Sequence, residues 1–174
     1  RVVSILSDTG MMGGKKAHEF MALADVGEDT LFLSPDGTSY LANREVATTA
    51  MSYATGEALP IEKVHTPGQK TIDEVAAFVN LPTTQTGKAV FYQTPDGGVV
   101  FAVIRGDLEV NEAKLRKIVG ANLDLANDEQ IKSVGSVPGY ASPLGVDPKA
   151  YRIVFDPSAV QSANLVVGAN EEDH

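Results

Sequence analysis

Lys88-Ala89-Val90-Phe91-Tyr92-Gln93-Thr94-Pro95-Asp96-Gly97-Gly98-Val99-Val100-Phe101-Ala102-Val103-Ile104-Arg105 places two apolar runs on either side of a Pro-Asp-Gly-Gly turn. Short runs rich in β-branched and aromatic residues, bounded by turn residues, read as a β-hairpin. Helix signals stand on both sides of it. Upstream, Thr71-Ile72-Asp73-Glu74 is a capping box that opens a helix to about Val79, and Pro82 prevents its continuation. Downstream, Asn111 is an N-cap for a helix from Glu112 to Val119, with Gly120 at its C′ position. A further helix is expected from about Asp128 to Val134, and strands near Tyr151–Phe155 and Asn164–Val167. Between these helix and strand signals, Gly135 to Leu144 reads as a loop holding Pro138, Gly139 and Pro143. From Thr66 on, the chain therefore reads as a compact α/β domain.

The first 45 residues have a different texture. Val2 to Leu6 is a strand, and Asp8 to Gly14 is a glycine-rich loop. Ser34-Pro35-Asp36-Gly37 is a turn joining Thr30–Leu33 to Thr38–Leu41. Residues 46–65, rich in Ala, Thr and Gly, show no period and read as a linker with some helical content. With 174 residues and 43% apolar content, the chain supports one core, or one core and a fragment of another.

Composition removes several function classes. No run of 18 apolar residues is present, so no membrane span is expected, and the first residues lack a signal peptide's apolar stretch. The absence of cysteine removes disulfides, thiolate metal sites and cysteine nucleophiles. His18, His65 and His174 are far apart, so no metal site is expected. No G-x-S-x-G elbow exists. Gly10 to Lys16 fails as a phosphate loop, because Lys16 stands where a hydroxyl must hold magnesium. Arg105-Gly106-Asp107 is too short to indicate an adhesion motif. The formal net charge of -9 repels nucleic acid at long range, so RNA binding requires a local cationic cluster or another part of a larger protein. Lys88 sits at the mouth of one strand, facing the polar end of its partner. On residues alone it reads either as a solvated strand-end lysine or as an anion or ribose site.

Two blocks carry a family resemblance over essentially the whole chain. The first is Asp8-Thr9-Gly10-Met11-Met12-Gly13-Gly14-Lys15-Lys16-Ala17-His18-Glu19-Phe20-Met21, then Gly27-Glu28-Asp29, then Tyr40-Leu41-Ala42-Asn43. The second runs from Thr66-Pro67-Gly68-Gln69-Lys70-Thr71-Ile72 through Lys88, Arg105-Gly106-Asp107, Asn111 and Lys114 to Gly139-Tyr140-Ala141-Ser142-Pro143. Together they resemble an internal segment of the bacterial-type prolyl-tRNA synthetases. The first block resembles the class II catalytic core before an insertion. The second resembles the inserted editing domain, itself similar to free-standing aminoacyl-tRNA deacylases.

The resemblance implies an α/β fold, with a mixed sheet and flanking helices in the editing domain (residues 60–174), and a class II core fragment with linker (1–59). It implies a cytoplasmic proline–tRNA ligase, a homodimer using ATP and magnesium at sites absent from this chain, so no aminoacylation is expected from the chain alone. It implies, for the editing domain, cofactor-free and metal-free hydrolysis of alanine from the acceptor end of tRNA(Pro). A proline pocket rejects alanine only through lost apolar contact, about 1–3 kcal/mol per methylene, so a second, smaller sieve is needed.

By the same resemblance, Lys88 and Thr66 are the catalytic positions. Lys88 holds a phosphate or the terminal ribose, since a charged ammonium is no base. The Thr66 hydroxyl orients water or ribose. Gly139, Tyr140, Ala141, Ser142 and Pro143 form a loop whose N–H groups from Tyr140 to Ser142 face the ester carbonyl. Arg105, Asp107 and Asn111 are expected near the tRNA 3′ end, although a turn Asp and a helix cap need no such role. Glu19 and Glu28 belong to the aminoacylation remnant. Many relatives carry glycine where Ser142 stands, which implies a less permissive loop here. A family histidine follows the Gly168-Ala169-Asn170 segment, and His174 stands nearby without an assigned role. Two alternatives remain: a tRNA 3′-end binding or structural module without turnover, and a stand-alone trans-editing deacylase.

Overall fold

The computed structural model describes residues 1–10, 14–48, 50–147 and 151–174. Along the chain run β1 (Val2–Ser7), β2 (Ala17–Ala22), β3 (Leu31–Leu33), β4 (Leu41–Asn43), α1 (Ile72–Phe78), a short 3-10 turn (Thr83–Gln85), β5 (Gly87–Gln93), β6 (Val99–Arg105), α2 (Glu112–Val119), β7 (Asp124–Leu125), α3 (Asp128–Ser133), β8 (Arg152–Phe155) and α4 (Pro157–Gln161). They form two compact units. One comprises Arg1–Ala50 with Asn111–Gly120, and the other Met51–Val110 with Ala121–His174.

The first unit holds a mixed sheet in the order β2-β1-β4-β3. β1 runs antiparallel to β2 from Val2↔Ala22 to Ser7↔Ala17, and pairs in parallel with β4 at Leu6↔Ala42. Burial alternates along β1: Val3, Ile5 and Ser7 point inward and the residues between them outward. The buried Asn43 amide donates to the Ser7 hydroxyl at 3.2 Å. β2 carries no strand signal in its sequence, Ala-His-Glu-Phe-Met-Ala; its state is set by the β1 edge it pairs with. The second arm of the β3–β4 hairpin begins at Leu41, later than expected. Thr38 and Ser39 instead donate their N–H groups to the Asp36 carboxylate; the Ser34 hydroxyl first, and then these two N–H groups, hold that carboxyl far below its usual range.

The second unit contains the other mixed sheet, β7-β5-β6-β8. The expected hairpin is present, in register from Gly87↔Arg105 to Gln93↔Val99, and β8 adds in parallel to β6 from Val100↔Arg152 to Val103↔Phe155. Phe91, Phe101, Val103 and Tyr151 form its core, with the two phenylalanine rings stacked at 4.3 Å. At the hairpin tip Thr94 N–H donates to Gly98 C=O at 2.9 Å, and Gly97 takes the left-handed φ of 85° that the turn requires. Both halves of the Thr71–Glu74 capping box are made, and α3 has a second box from Asn127 and Gln130.

Two expectations fail, and one element is additional. Among the described residues of 46–65 there is no helix, and Thr49 lies outside them. Among the described residues, 164–167 make one isolated parallel bridge, Thr86↔Val166, and Asn164, at a φ of 55°, stands outside the extended region. α4 was not expected; it follows from Pro157 at its first turn and the Asp156 cap on Ser158 N–H. Residues Met11, Met12 and Gly13 of the glycine-rich loop lie outside the described residues. No helix among those described is long and apolar enough to cross a membrane.

Candidate functional site

The second unit contains a cleft of about 970 Å³. Its walls bring together Thr66, Lys88, Gly139, Tyr140, Ala141 and Ser142, residues far apart in sequence. β5 supplies Lys88 at its second position, opposite Ile104 of β6. The Lys88 ammonium donates to Glu109 Oε1 at 2.6 Å; the lysine side chain is 18% exposed and the glutamate 90%. A partner so exposed is screened by water and easily exchanged for another anion. Lys63, Lys70 and Lys88 line the cleft with one lining carboxylate, Glu62, while Glu171 and Glu109 pair with Lys63 and Lys88 from outside the wall.

Thr66 is buried, and its N–H donates to Asp173 C=O at 2.7 Å. Its hydroxyl has no hydrogen-bond partner among the described residues. Asp173 also accepts from Gly68 N–H at 2.9 Å and from the Tyr140 hydroxyl at 3.1 Å. These donors, the Gly68 N–H first, lower the Asp173 carboxyl below its ordinary value; burial and the same bond raise the Tyr140 phenol. Lys70 lies 5.8 Å from the Tyr140 ring centroid, and the His65 and His174 rings are 5.0 Å apart.

The Gly139–Pro143 loop is held by Asn170. Its Oδ1 accepts Ser142 N–H at 3.0 Å, and its Nδ2 donates to the carbonyls of Ser142 at 2.8 Å and Leu144 at 2.9 Å. Asn170 N–H adds a bond to Tyr140 C=O at 2.8 Å. Gly168 presses against the same backbone: a Cβ there would lie 2.3 Å from Tyr140 O. This bears on the three N–H groups expected to face a carbonyl. Tyr140 N–H is spent on Val137 C=O at 3.0 Å and Ser142 N–H on Asn170, so among the described residues only Ala141 N–H lacks a partner. Ser142 is not in the left-handed region, so the serine costs the loop no backbone strain.

Other expected residues stand elsewhere. Pro143 is not in the cleft wall. Arg105 is buried, its Nε and Nη2 bound to Asp107 at 2.5 and 2.9 Å, and its Nη1 to Ser52 C=O at 2.9 Å. The mutual hydrogen bonds lower the Asp107 carboxyl and raise the Arg105 guanidinium. Asn111 caps α2 through Lys114 N–H at 3.1 Å and donates to Glu45 C=O at 3.0 Å. Glu19 and Glu28 are exposed residues of the first unit. Sequence reasoning missed Asn170 and Asp173 as loop anchors. Their one signal was residue type, since Asn and Asp tolerate the positive φ of 53° and 60° found there.

The model of the aminoacyl-tRNA editing domain family matches residues 66–174, which include Thr66, Lys88, the Gly139–Ser142 loop, Asn170 and Asp173. The chain belongs to this family. It is 45% identical over 168 residues to a proline–tRNA ligase of Dehalococcoides mccartyi, covering 95% of this chain and 29% of the relative. It is 40% identical over 181 aligned positions to a proline–tRNA ligase of Salinispora tropica, covering 98% of this chain and 30% of that one. The editing domain is thus homologous to that of prolyl-tRNA synthetases, while the chain spans less than a third of these relatives' length. Among solved structures, a hypothetical protein named APE2540 shares the fold, with a TM-score of 0.55 and 23% identity over 60% of this chain and 70% of that one.

Proposed function

We propose that the second unit hydrolyses alanine from mischarged tRNA(Pro) by water attack on the aminoacyl ester. The observation that carries this reading is the convergence, in one cleft, of a shielded lysine, an unpartnered threonine hydroxyl and an unpartnered backbone N–H. Lys88 exchanges Glu109 for a phosphate or the terminal ribose and so anchors the 3′ end. The Thr66 hydroxyl orients the water. Ala141 N–H donates to the ester oxygen as it gains negative charge, and Asn170 holds that donor in place beforehand. Water oxygen bonds to the carbonyl carbon, the bond to the ribose oxygen breaks, and the ribose oxygen takes up a proton. The products are free alanine and uncharged tRNA. The ester is already activated, so positioning and charge stabilisation suffice, with neither metal nor cofactor.

The same reading makes residues 1–59 a fragment of a class II core with its linker, carrying Glu19 and Glu28, and residues 60–174 the inserted domain. The parent is then a cytoplasmic, homodimeric proline–tRNA ligase that binds ATP and magnesium outside this chain, with tRNA(Pro) and the rest of the core as partners. The test is single-turnover deacylation of Ala-tRNA(Pro) and Pro-tRNA(Pro). Alanine is expected to leave at least about tenfold faster, and Lys88→Ala to slow its release by about tenfold or more with the fold intact. Equal rates on both substrates sink the sieve; an unchanged Lys88→Ala variant removes the lysine from the site.

A further inference from the structure

Residues 52–66 form no helix or strand, yet they are tethered at intervals. Arg105 holds Ser52 C=O, and Ala163 N–H donates to Ala54 C=O at 2.9 Å. Asn164 uses its whole amide on this segment: Nδ2 donates to Glu57 C=O at 3.0 Å and Oδ1 accepts Leu59 N–H at 2.9 Å. Further on, Lys63 pairs with Glu171, and Thr66 N–H is bound by Asp173. The segment is therefore a strap fixed at points, with no ladder of its own.

Leu59, Ile61 and Val64 of the strap line the cleft, yet they are 67%, 86% and 42% exposed. Apolar groups in that position gain burial only when a ligand arrives. They share the lining with Lys70 and Lys88, cations that suit an anionic ligand, Lys88 by exchanging its exposed partner Glu109. A nucleoside with its phosphate has both properties, a flat base with an apolar face and a negative charge.

We infer that residues 57–64 are the nucleoside-binding wall of the cleft and that Asn164 is the positioning residue that holds this wall in place. The occupant is the terminal nucleoside of a charged RNA; that identity rests on the editing reading above. Asn164 suits the position doubly, since its φ of 55° is one that few side chains other than asparagine adopt, and its amide matches one carbonyl and one N–H of the strap.

The probe is a short acceptor-stem RNA carrying alanine at its 3′ end through a stable amide. Asn164→Gly removes the amide without straining the backbone, and Ile61→Ser removes an exposed apolar side chain. Asn164→Gly is expected to speed hydrogen exchange at Leu59 N–H by about tenfold, leaving the β5–β6 amides unchanged, and to weaken probe binding by about tenfold. Ile61→Ser is expected to weaken binding about fivefold with exchange unaltered. Asn164→Asp, which keeps the acceptor for Leu59, should fall between Asn164→Gly and the parent. Parent-like binding by both Asn164→Gly and Ile61→Ser overturns the inference, as does a parent chain that fails to bind the probe. Tight, strap-dependent binding without any deacylation of Ala-tRNA overturns the hydrolytic reading alone.

Discussion

Each sheet has two antiparallel pairs and one parallel pair, central in the first sheet and at the edge in the second, and the two are buried differently. In β6 every residue from Val100 to Arg105 is buried, whereas β1 alternates. β6 is flanked by β5 and β8 and covered on one face by the Phe91–Tyr151 cluster; α4 also lies against it, with the Ser158 hydroxyl accepting Arg105 N–H at 3.2 Å. β1 has one inward face, and its outward face with β2 leaves Val2 65% and Phe20 81% exposed. A sheet packed on two sides tolerates little displacement. That is the sheet on which Lys88 stands, so the rigid framework and the cleft belong to the same unit.

Cutting into the packed sheet should have the largest effect. Phe101→Ala removes a fully buried ring stacked on Phe91 and is expected to cost about 3–5 kcal/mol in urea denaturation followed by circular dichroism. A loss under about 1 kcal/mol would show that the two sheets are alike in packing after all.

The Arg105–Asp107 pair comes next. Asp107→Asn leaves the buried guanidinium without a counter-charge, facing one amide oxygen and the Ser52 carbonyl, and is expected to cost about 1–3 kcal/mol at neutral pH. Folding lowers the Asp107 carboxyl below its unfolded value of about 4, so its contribution is complete above that pH. It is lost as pH falls through the lower, folded value. Asp107→Asn should therefore flatten the acid limb of the stability profile, and a parent-like acid limb in the variant would assign that limb to other carboxylates. The smallest effect belongs to the open sheet. Phe20→Ser should change the stability of the first unit by no more than about 0.5 kcal/mol, measured by thermal melting; a larger loss would mean that the outward face of β1 and β2 is packed.

The hairpin was legible because its tip and its apolar runs of β-branched and aromatic residues are local signals, and so was α1, whose capping box lies within four residues. β2 was not legible: nothing in Ala17–Ala22 favours a strand except the edge of β1. The same division holds in the site. Family resemblance named Lys88, Thr66 and the Gly139–Pro143 loop, and the fold brings all but Pro143 to one cleft; spacing alone left Lys88 open between a solvated strand-end lysine and an anion site. Arg105 and Asp107, expected near the RNA, turned out to satisfy each other, since a two-residue separation at a strand end lets the guanidinium fold back onto the carboxylate.

The sequence by itself determined the strands, caps and turns whose partners lie a few residues away, and the acidic charge that leaves RNA binding to a local patch. Only the tertiary structure decided which polar groups remain available. Tyr140 and Ser142 lose their N–H groups to Val137 and Asn170, while Ala141 N–H and the Thr66 hydroxyl keep theirs free of partners among the described residues. Hydrogen-bond capacity is used up by neighbours in space, and those neighbours, such as Asn170 beside Ser142, are brought together only by the folded chain.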